Sequence, residues 1–316
     1  MKKHNFYAGP SILSEYTIKN TAAAVENFAG MGLSLLEISH RSKEFVAVND
    51  EARALIKELL DVPAGYEVVF MGGGASMQFC MVPYNLLNKK ASYLDTGTWA
   101  SNAIKEAKLF GEVDVVASSK DKNYTYIPKG YAIADDSDYF HFTSNNTIYG
   151  TEMRKDPDVK QRLVCDMSSD IFSRPIDISK YDIIYAGAQK NMGIAGLGVA
   201  IIREDLLQDV AQTTPVLLDY KLMIKNDSMY NTPPAYAIYV LGLVLEWIDS
   251  LGGLEVMKER NEKKAKLVYD YLDQSTFYKA HSDKENRSLM NVTFTTPNKD
   301  LDAKFVKESI EAGMTI

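Results

Sequence analysis

One lysine stands at the end of an apolar run in Ile183-Ile184-Tyr185-Ala186-Gly187-Ala188-Gln189-Lys190-Asn191, and a glycine-containing segment, 193–198, follows it. On a solvated helix face a lysine is a charge and little more. At the end of a buried strand its amine can lose its proton and attack a carbonyl. Asp166 closes the apolar run Leu163-Val164-Cys165, 24 positions earlier. That separation suits one strand, a connection and a second strand, which would bring both side chains to one sheet edge.

The obvious carbonyl is that of pyridoxal phosphate, whose site also needs a carboxylate for the pyridinium nitrogen, a phosphate cradle and a flat group against the ring. An ionised Asp166 keeps that nitrogen protonated and the ring an electron sink. Gly72-Gly73-Gly74-Ala75-Ser76 follows an expected strand and opens an expected helix, so its backbone amides and the positive helix end suit a phosphate. It has neither the lysine of a Walker loop nor the spacing of a dinucleotide fingerprint. Taken alone it reads equally as a tight strand-to-helix turn.

Trp99, in Gly97-Thr98-Trp99-Ala100, falls at the next strand-to-helix connection, where parallel α/β sheets place their ligands. Its indole suits stacking on a pyridine ring, and without the lysine it reads equally as a core aromatic. Thr147, in Asn145-Asn146-Thr147-Ile148-Tyr149-Gly150, follows another strand and offers a hydroxyl, although alone it is a turn residue. His40-Arg41 precedes a helix, and the guanidinium offers a two-pronged grip on a carboxylate or phosphate; a surface ion pair is the plainer reading. His4, His141 and His281 have no partners at metal-ligand spacing, so no metal is expected.

The elements that must position these groups are legible as short apolar runs: Val68–Met71, Ser92–Leu94, Val113–Ala117, Tyr139–Phe142, Leu163–Cys165, Ile183–Tyr185 and Val199–Ile202. Helical periodicity lies between them over Phe45–Leu60, Ser76–Leu87 (disturbed by Pro83) and Trp99–Phe110. The pattern predicts an α/β fold with a large, mainly parallel seven-stranded sheet. After Pro233-Pro234 come helices over Ala235–Ser250 and from Leu254 to about Asp273, parted by Gly252-Gly253. A strand over Leu289–Phe294 and a helix over Asp302–Ala312 then suggest a small α+β domain. We expect residues 15–250 to form the large domain, and 1–14 with 251–316 the small one. The last residues, Gly313–Ile316, follow that helix without an expected strand to complete the unit.

With 316 residues, 46% of them hydrophobic, the chain can bury one large core and a smaller one, since single cores stop growing near roughly 250–300 residues. There are 35 basic and 42 acidic residues, a net charge of -7, and no basic block, so nucleic acid is not expected as a partner. No apolar run approaches the about 18–20 residues that span a bilayer, and Met1-Lys2-Lys3 leads straight into Asn5–Pro10 without a signal-peptide core. No membrane partner and a cytoplasmic location are expected. Cys80 and Cys165 lie in apolar segments with no CxxC pair and read as core residues.

Six blocks together resemble the phosphoserine aminotransferases, in the class-V aminotransferase group of the fold-type I pyridoxal phosphate enzymes. They are Asn5–Pro10, His40-Arg41-Ser42, Gly72–Phe79, Asp166–Pro175, Tyr185–Asn191 and Asn231-Thr232-Pro233-Pro234. The resemblance implies that Lys190 holds the cofactor covalently and shuttles the substrate α-proton, and that Asp166 pairs with the ring nitrogen. It further implies that Trp99 stacks on the ring, Thr147 contacts the cofactor, and Ala75, Ser76 and Gln189 bind its phosphate. Asn231 and Thr232 would complete the phosphate site of the neighbouring subunit in a homodimer with shared active sites. L-glutamate would donate an amino group and 3-phosphohydroxypyruvate accept it, giving phosphoserine and 2-oxoglutarate, with Arg41 and His40 holding the substrate anion. A phosphorylated four-carbon hydroxy-oxo acid of pyridoxine synthesis is a second substrate the resemblance suggests.

Members of that family continue beyond the position of Ile316 with a histidine- and arginine-rich segment that grips substrate anions. The resemblance therefore implies retained cofactor binding and weakened substrate affinity for a chain ending here. Two other readings remain open at this point. One is a different fold-type I enzyme, such as another small-acid aminotransferase or a cysteine desulfurase-like lyase; the other is an α/β binding protein without catalysis.

Overall fold

The structure is a computed structural model that describes residues 3–207 and 215–316, so Met1, Lys2 and part of the expected large domain lie outside it. Each of the seven apolar runs forms a strand, and all seven join one sheet. In spatial order they are Tyr66–Gly72, Leu197–Arg203, Ile183–Gly187, Arg162–Asp166, Tyr139–Thr143, Lys90–Asp95 and Glu112–Ser118. Leu197–Arg203 runs antiparallel to both of its neighbours, and the other pairs are parallel. The mainly parallel sheet expected from the sequence is therefore present.

Alternation explains why these runs read as continuously apolar. Val68, Phe70, Phe140, Ile184 and Ile201 face one layer, packed with Phe45 and Ile56 of helix Lys43–Leu59 and Ile238, Leu241 and Leu245 of helix Ala235–Ser250. Val69, Met71, Tyr139, Ile183, Tyr185 and Ala200 face the other, against Phe79 and Val82 of helix Gly74–Leu86 and Ala103 and Ile104 of helix Thr98–Ala107. A sheet covered on both faces buries both sets of a period-two pattern. Pro83 is accommodated inside its helix.

Helix Gly253–Gln274 leaves the preceding one at an angle of 84°, after Gly252 and Gly253. Among the described residues no single helix is long and apolar enough to cross a membrane. Ala265, Tyr269 and Leu272 gather Tyr278, Leu289, Val292 and Phe294 into a separate apolar cluster.

Two expectations change here. Of the expected 289–294 strand only Phe294 is paired, in the strand Phe294–Thr295 antiparallel to Lys279–Ala280. The backbone before it is engaged elsewhere: Leu289 N–H donates to the Glu152 carboxylate at 2.7 Å, and the Asn291 side chain accepts from Asn145 at 2.8 Å. After helix Lys299–Glu311, Met314–Thr315 does form a short strand, parallel to His4–Asn5. Its partner comes from the opposite end of the chain, which local pattern does not announce.

Phe140 is fully buried near the sheet centre, between Tyr131 and Phe142 at ring separations of 5.7 and 6.2 Å. Phe140→Ala should lower the unfolding free energy by about 3–5 kcal/mol, read from denaturant midpoints; a loss under about 1 kcal/mol would show that this layer is not tightly packed.

Candidate active site

Parallel strands deliver their carboxyl ends to a common edge. Here that edge carries Gly72-Gly73, the Asp95–Thr98 connection, Thr143–Thr147, Asp166–Ser168 and Gly187–Lys190. Lys190 lies in the four-residue helix Ala188–Asn191, directly after strand Ile183–Gly187. Its ammonium donates to the Thr147 hydroxyl oxygen at 2.7 Å and stands 5.5 Å from the centre of the Trp99 ring. Burial pushes the lysine below the usual amine range, while the carboxylates of Asp166 and Asp170 pull it back up.

Asp166 is 4% exposed at the end of its strand. Its Oδ1 accepts from Ser168 twice, from N–H at 2.9 Å and from the hydroxyl at 2.6 Å. Burial pushes the carboxyl up, and Lys190 and the Ser168 bonds act in the opposite direction. The Ser168 hydroxyl also accepts from Gly187 N–H at 3.0 Å, so one serine ties the aspartate strand to the lysine strand. Sequence reasoning quoted this block without giving Ser168 a role; the Asp-x-Ser spacing, which lets a side chain bond two residues on, was the available signal.

The amino-terminal block was noticed but given no role. Ser11 N–H donates to the Gln189 carbonyl at 3.0 Å, and the Ser11 hydroxyl bonds the Lys190 carbonyl. A methyl group on Gly9 would lie 2.9 Å from Cγ of Lys190, so the Asn5–Pro10 block packs directly on the lysine stem.

Gly73 caps helix Gly74–Leu86 with φ at 90°, a left-handed conformation that glycine adopts without strain. The first turn behind it contains Ala75 and Ser76, whose N–H groups have no partners further up the helix. Ala75 and Gln189 close around Gly187: a β-carbon there would sit 3.2 Å from Ala75 N and 2.8 Å from the Gln189 side-chain oxygen.

The structure thus brings together Lys190, Asp166, Thr147 and Trp99 at one edge, with Ala75 and Gln189 meeting at Gly187 on the neighbouring strand end. Four expected residues lie apart from the lysine. Arg41 is exposed, its N–H on Ser39 Oγ at 3.2 Å, and His40 is half-buried with Nε2 enclosed and unpartnered. Asn231 and Thr232 are exposed. Among the described residues no hydrogen bond, ion pair or ring contact joins any of these four to Lys190. Cys165 is buried as expected, but Cys80 is only half-buried, its thiol facing Glu106 at 3.6 Å.

Known proteins resemble the chain over nearly its whole length. A profile described as Aminotransferase class-V matches residues 4–315. The chain belongs to the class-V aminotransferase family. A phosphoserine aminotransferase of Parabacteroides distasonis is 75% identical over 99% of this chain and 89% of its own length. The solved phosphoserine aminotransferase of Bacillus circulans subsp. alkalophilus superposes with a TM-score of 0.96 at 44% identity, covering 99% of this chain and 88% of that one. The pyridoxal phosphate-bound phosphoserine aminotransferase of Trichomonas vaginalis does so at 0.96 and 37% identity, covering 100% and 91%.

As a class-V aminotransferase, the protein has pyridoxal phosphate as its cofactor, and the residues present fit that group. A lysine with a lowered proton affinity, a buried carboxylate, an indole beside the lysine and a helix start with free N–H groups converge at one strand-end edge. Room at Gly187 is part of the fit, because any side chain there would crowd Ala75 N and Gln189. Gly187→Ala should weaken cofactor affinity at least tenfold with little change in the melting temperature of the cofactor-free protein. Equilibrium binding followed by absorbance checks this, and unchanged affinity would remove the cradle from this position.

Proposed function

We propose that the protein transfers the amino group of L-glutamate to 3-phosphohydroxypyruvate, giving O-phospho-L-serine and 2-oxoglutarate in serine biosynthesis. The observation that carries this reading is the meeting of Lys190 and Asp166 at one sheet edge, in a chain 75% identical to a phosphoserine aminotransferase. The bound cofactor supplies an electron sink for the charge left when a substrate α-proton departs.

The residues supply the rest. Lys190 Nζ takes the substrate α-proton and returns it, a role for which its lowered proton affinity suits it. Asp166, fixed by Ser168, would keep a proton on the pyridine nitrogen of the bound cofactor by offering it a negative charge. Thr147 holds the Lys190 ammonium; with the cofactor bound, Trp99 would cover its ring, and Ala75, Ser76 and Gln189 would hold its phosphate. Arg41, with His40, grips the substrate anion.

Two further parts of the proposal concern organisation. Residues 15–250 form the large domain and 1–14 with 251–316 the small one; the separate cluster around Tyr269 and the pairing of His4–Asn5 with Met314–Thr315 support that division. The active unit is a homodimer in which Asn231 and Thr232 complete the partner's phosphate site. Their exposure in this chain, together with exposed Phe6, Tyr7, Ile12, Ile18 and Leu36, supports it. A cytoplasmic location follows from the substrates, since multiply charged phosphorylated acids do not cross a bilayer unaided.

A desulfurase needs a reactive thiolate, and neither cysteine is poised as one. Burial and Glu106 hold the Cys80 thiol up, and Cys165 is sealed in the core.

Adding glutamate to the yellow cofactor-loaded protein should bleach its absorbance band, and 3-phosphohydroxypyruvate should restore it; the four-carbon homologue is tested as a second acceptor. Lys190→Ala should cut turnover by at least about 10²–10⁴-fold and abolish the bleaching. A wild-type protein indifferent to glutamate would refute the donor, and restoration by pyruvate or oxaloacetate in preference would refute the acceptor. Sedimentation should give a dimer, and mixing inactive Lys190→Ala with inactive Asn231→Ala/Thr232→Ala chains should recover part of the activity. No recovery would contradict shared sites.

A further inference from the structure

Behind Asp166 lies a second buried carboxylate that the proposed chemistry leaves without a role. Asp170 and Glu152 both have side chains 2% exposed, and Arg174 stands between them, 3.7 Å from the first and 3.9 Å from the second. The three form a closed cluster of two acids and one cation. With both acids ionised it would carry an unbalanced negative charge away from water, which is costly. One proton removes the imbalance.

Hydrogen-bond accounting decides which acid takes it. Glu152 accepts a backbone N–H, that of Leu289, at 2.7 Å, a bond that favours its charged form. Among the described residues Asp170 has no such backbone donor: one carboxyl oxygen meets the Ser144 hydroxyl in a very short contact, and the other faces Arg174 at 3.7 Å. That hydroxyl also lies 3.1 Å from the Asp166 carbonyl oxygen, which accepts the Ser144 N–H at 3.0 Å and is placed to accept the hydroxyl as well. A hydroxyl has one proton to give. Ser144 can serve the Asp166 carbonyl and still bond Asp170 only if Asp170 is itself the donor.

The same turn supports the lysine, because Asn191 donates to the Ile171 carbonyl at 2.6 Å. The charged and titratable groups facing Asp170 are Glu152, Arg174, Asp166, Cys165 and Lys190. Resting on the functional reading above, we propose that Asp170 is a positioning residue that works as a protonated acid, donating through Ser144 to fix the end of the Asp166 strand. Its ionisation would turn the Ser144 proton away from Asp166 and add negative charge near Lys190. Burial and the Glu152 charge push its carboxyl up to about 7, which makes the exchange accessible near neutral pH.

Infrared difference spectra of the cofactor-loaded protein should show the C=O stretch of a buried protonated carboxylic acid. The band should fade as pH rises through about 7 and be missing from Asp170→Asn. The asparagine keeps a neutral donor, so its cofactor affinity should stay within about threefold of wild type, while the pH dependence of the cofactor absorbance near neutrality flattens. Asp170→Ala, which cannot donate, should lose affinity more than tenfold. If that variant does not fold, the asparagine variant alone decides. A carboxylic acid band that persists in Asp170→Asn, an unchanged absorbance profile, or a more than tenfold loss of affinity in that variant would each overturn the proposal. The infrared band does not depend on which substrates the enzyme uses, so the two readings fail separately.

Discussion

Taking an ammonium out of water is the constraint around which this protein is arranged. Lys190 is held in a four-residue helix at a strand end, where desolvation favours the neutral amine. An uncompensated buried cation would be expensive, so the surrounding structure offers partial compensation: a hydroxyl from Thr147, the face of Trp99 and the field of Asp166. None of these is a close carboxylate partner. A direct ion pair would lock the lysine as an ammonium and remove the free amine on which transamination depends.

The turn that follows Asp166 makes this compensation rigid. Ser168 joins Asp166 to Gly187, Asn191 reaches back to Ile171, and Ser144 bridges Asp166 and Asp170. At its end Phe172 is fully buried with φ at 59°, a left-handed conformation costly for a bulky side chain. Its burial in the main core cluster holds it there. The strain and the dense polar bonding coincide in the segment that carries the acid. The amino-terminal strap through Ser11 closes the other side of the lysine helix, so four distant parts of the chain fix one amine.

Much of this was legible before any coordinates. The seven strands were readable because a sheet covered on both faces leaves short continuous apolar runs, and the lysine and aspartate were readable because each ends such a run. Ser168 and Asp170 lay in a block already noticed, yet their roles depend on Gly187, Ser144, Glu152 and Arg174, brought together only by strand pairing. The Met314–Thr315 strand was invisible because its partner is His4–Asn5, at the other end of the sequence. Leu289–Val292 looked like a strand by composition, but its backbone and side-chain bonds go to Glu152 and Asn145. Asn231 and Thr232 came from resemblance alone and Arg41 also from the two-pronged grip of its guanidinium, and nothing in one chain's packing draws them to Lys190.

Amine labelling measures directly whether burial lowers the proton affinity of Lys190. Cofactor-free protein would be reductively methylated across a range of pH, with Lys190 followed by mass spectrometry. Desolvation should place the reactivity midpoint below the usual lysine value of about 10.4, shifting upward in Thr147→Asp, which would give the ammonium an anionic partner. A midpoint at or above that value in the wild type would show that the carboxylates, and not desolvation, govern the amine, and would contradict the account.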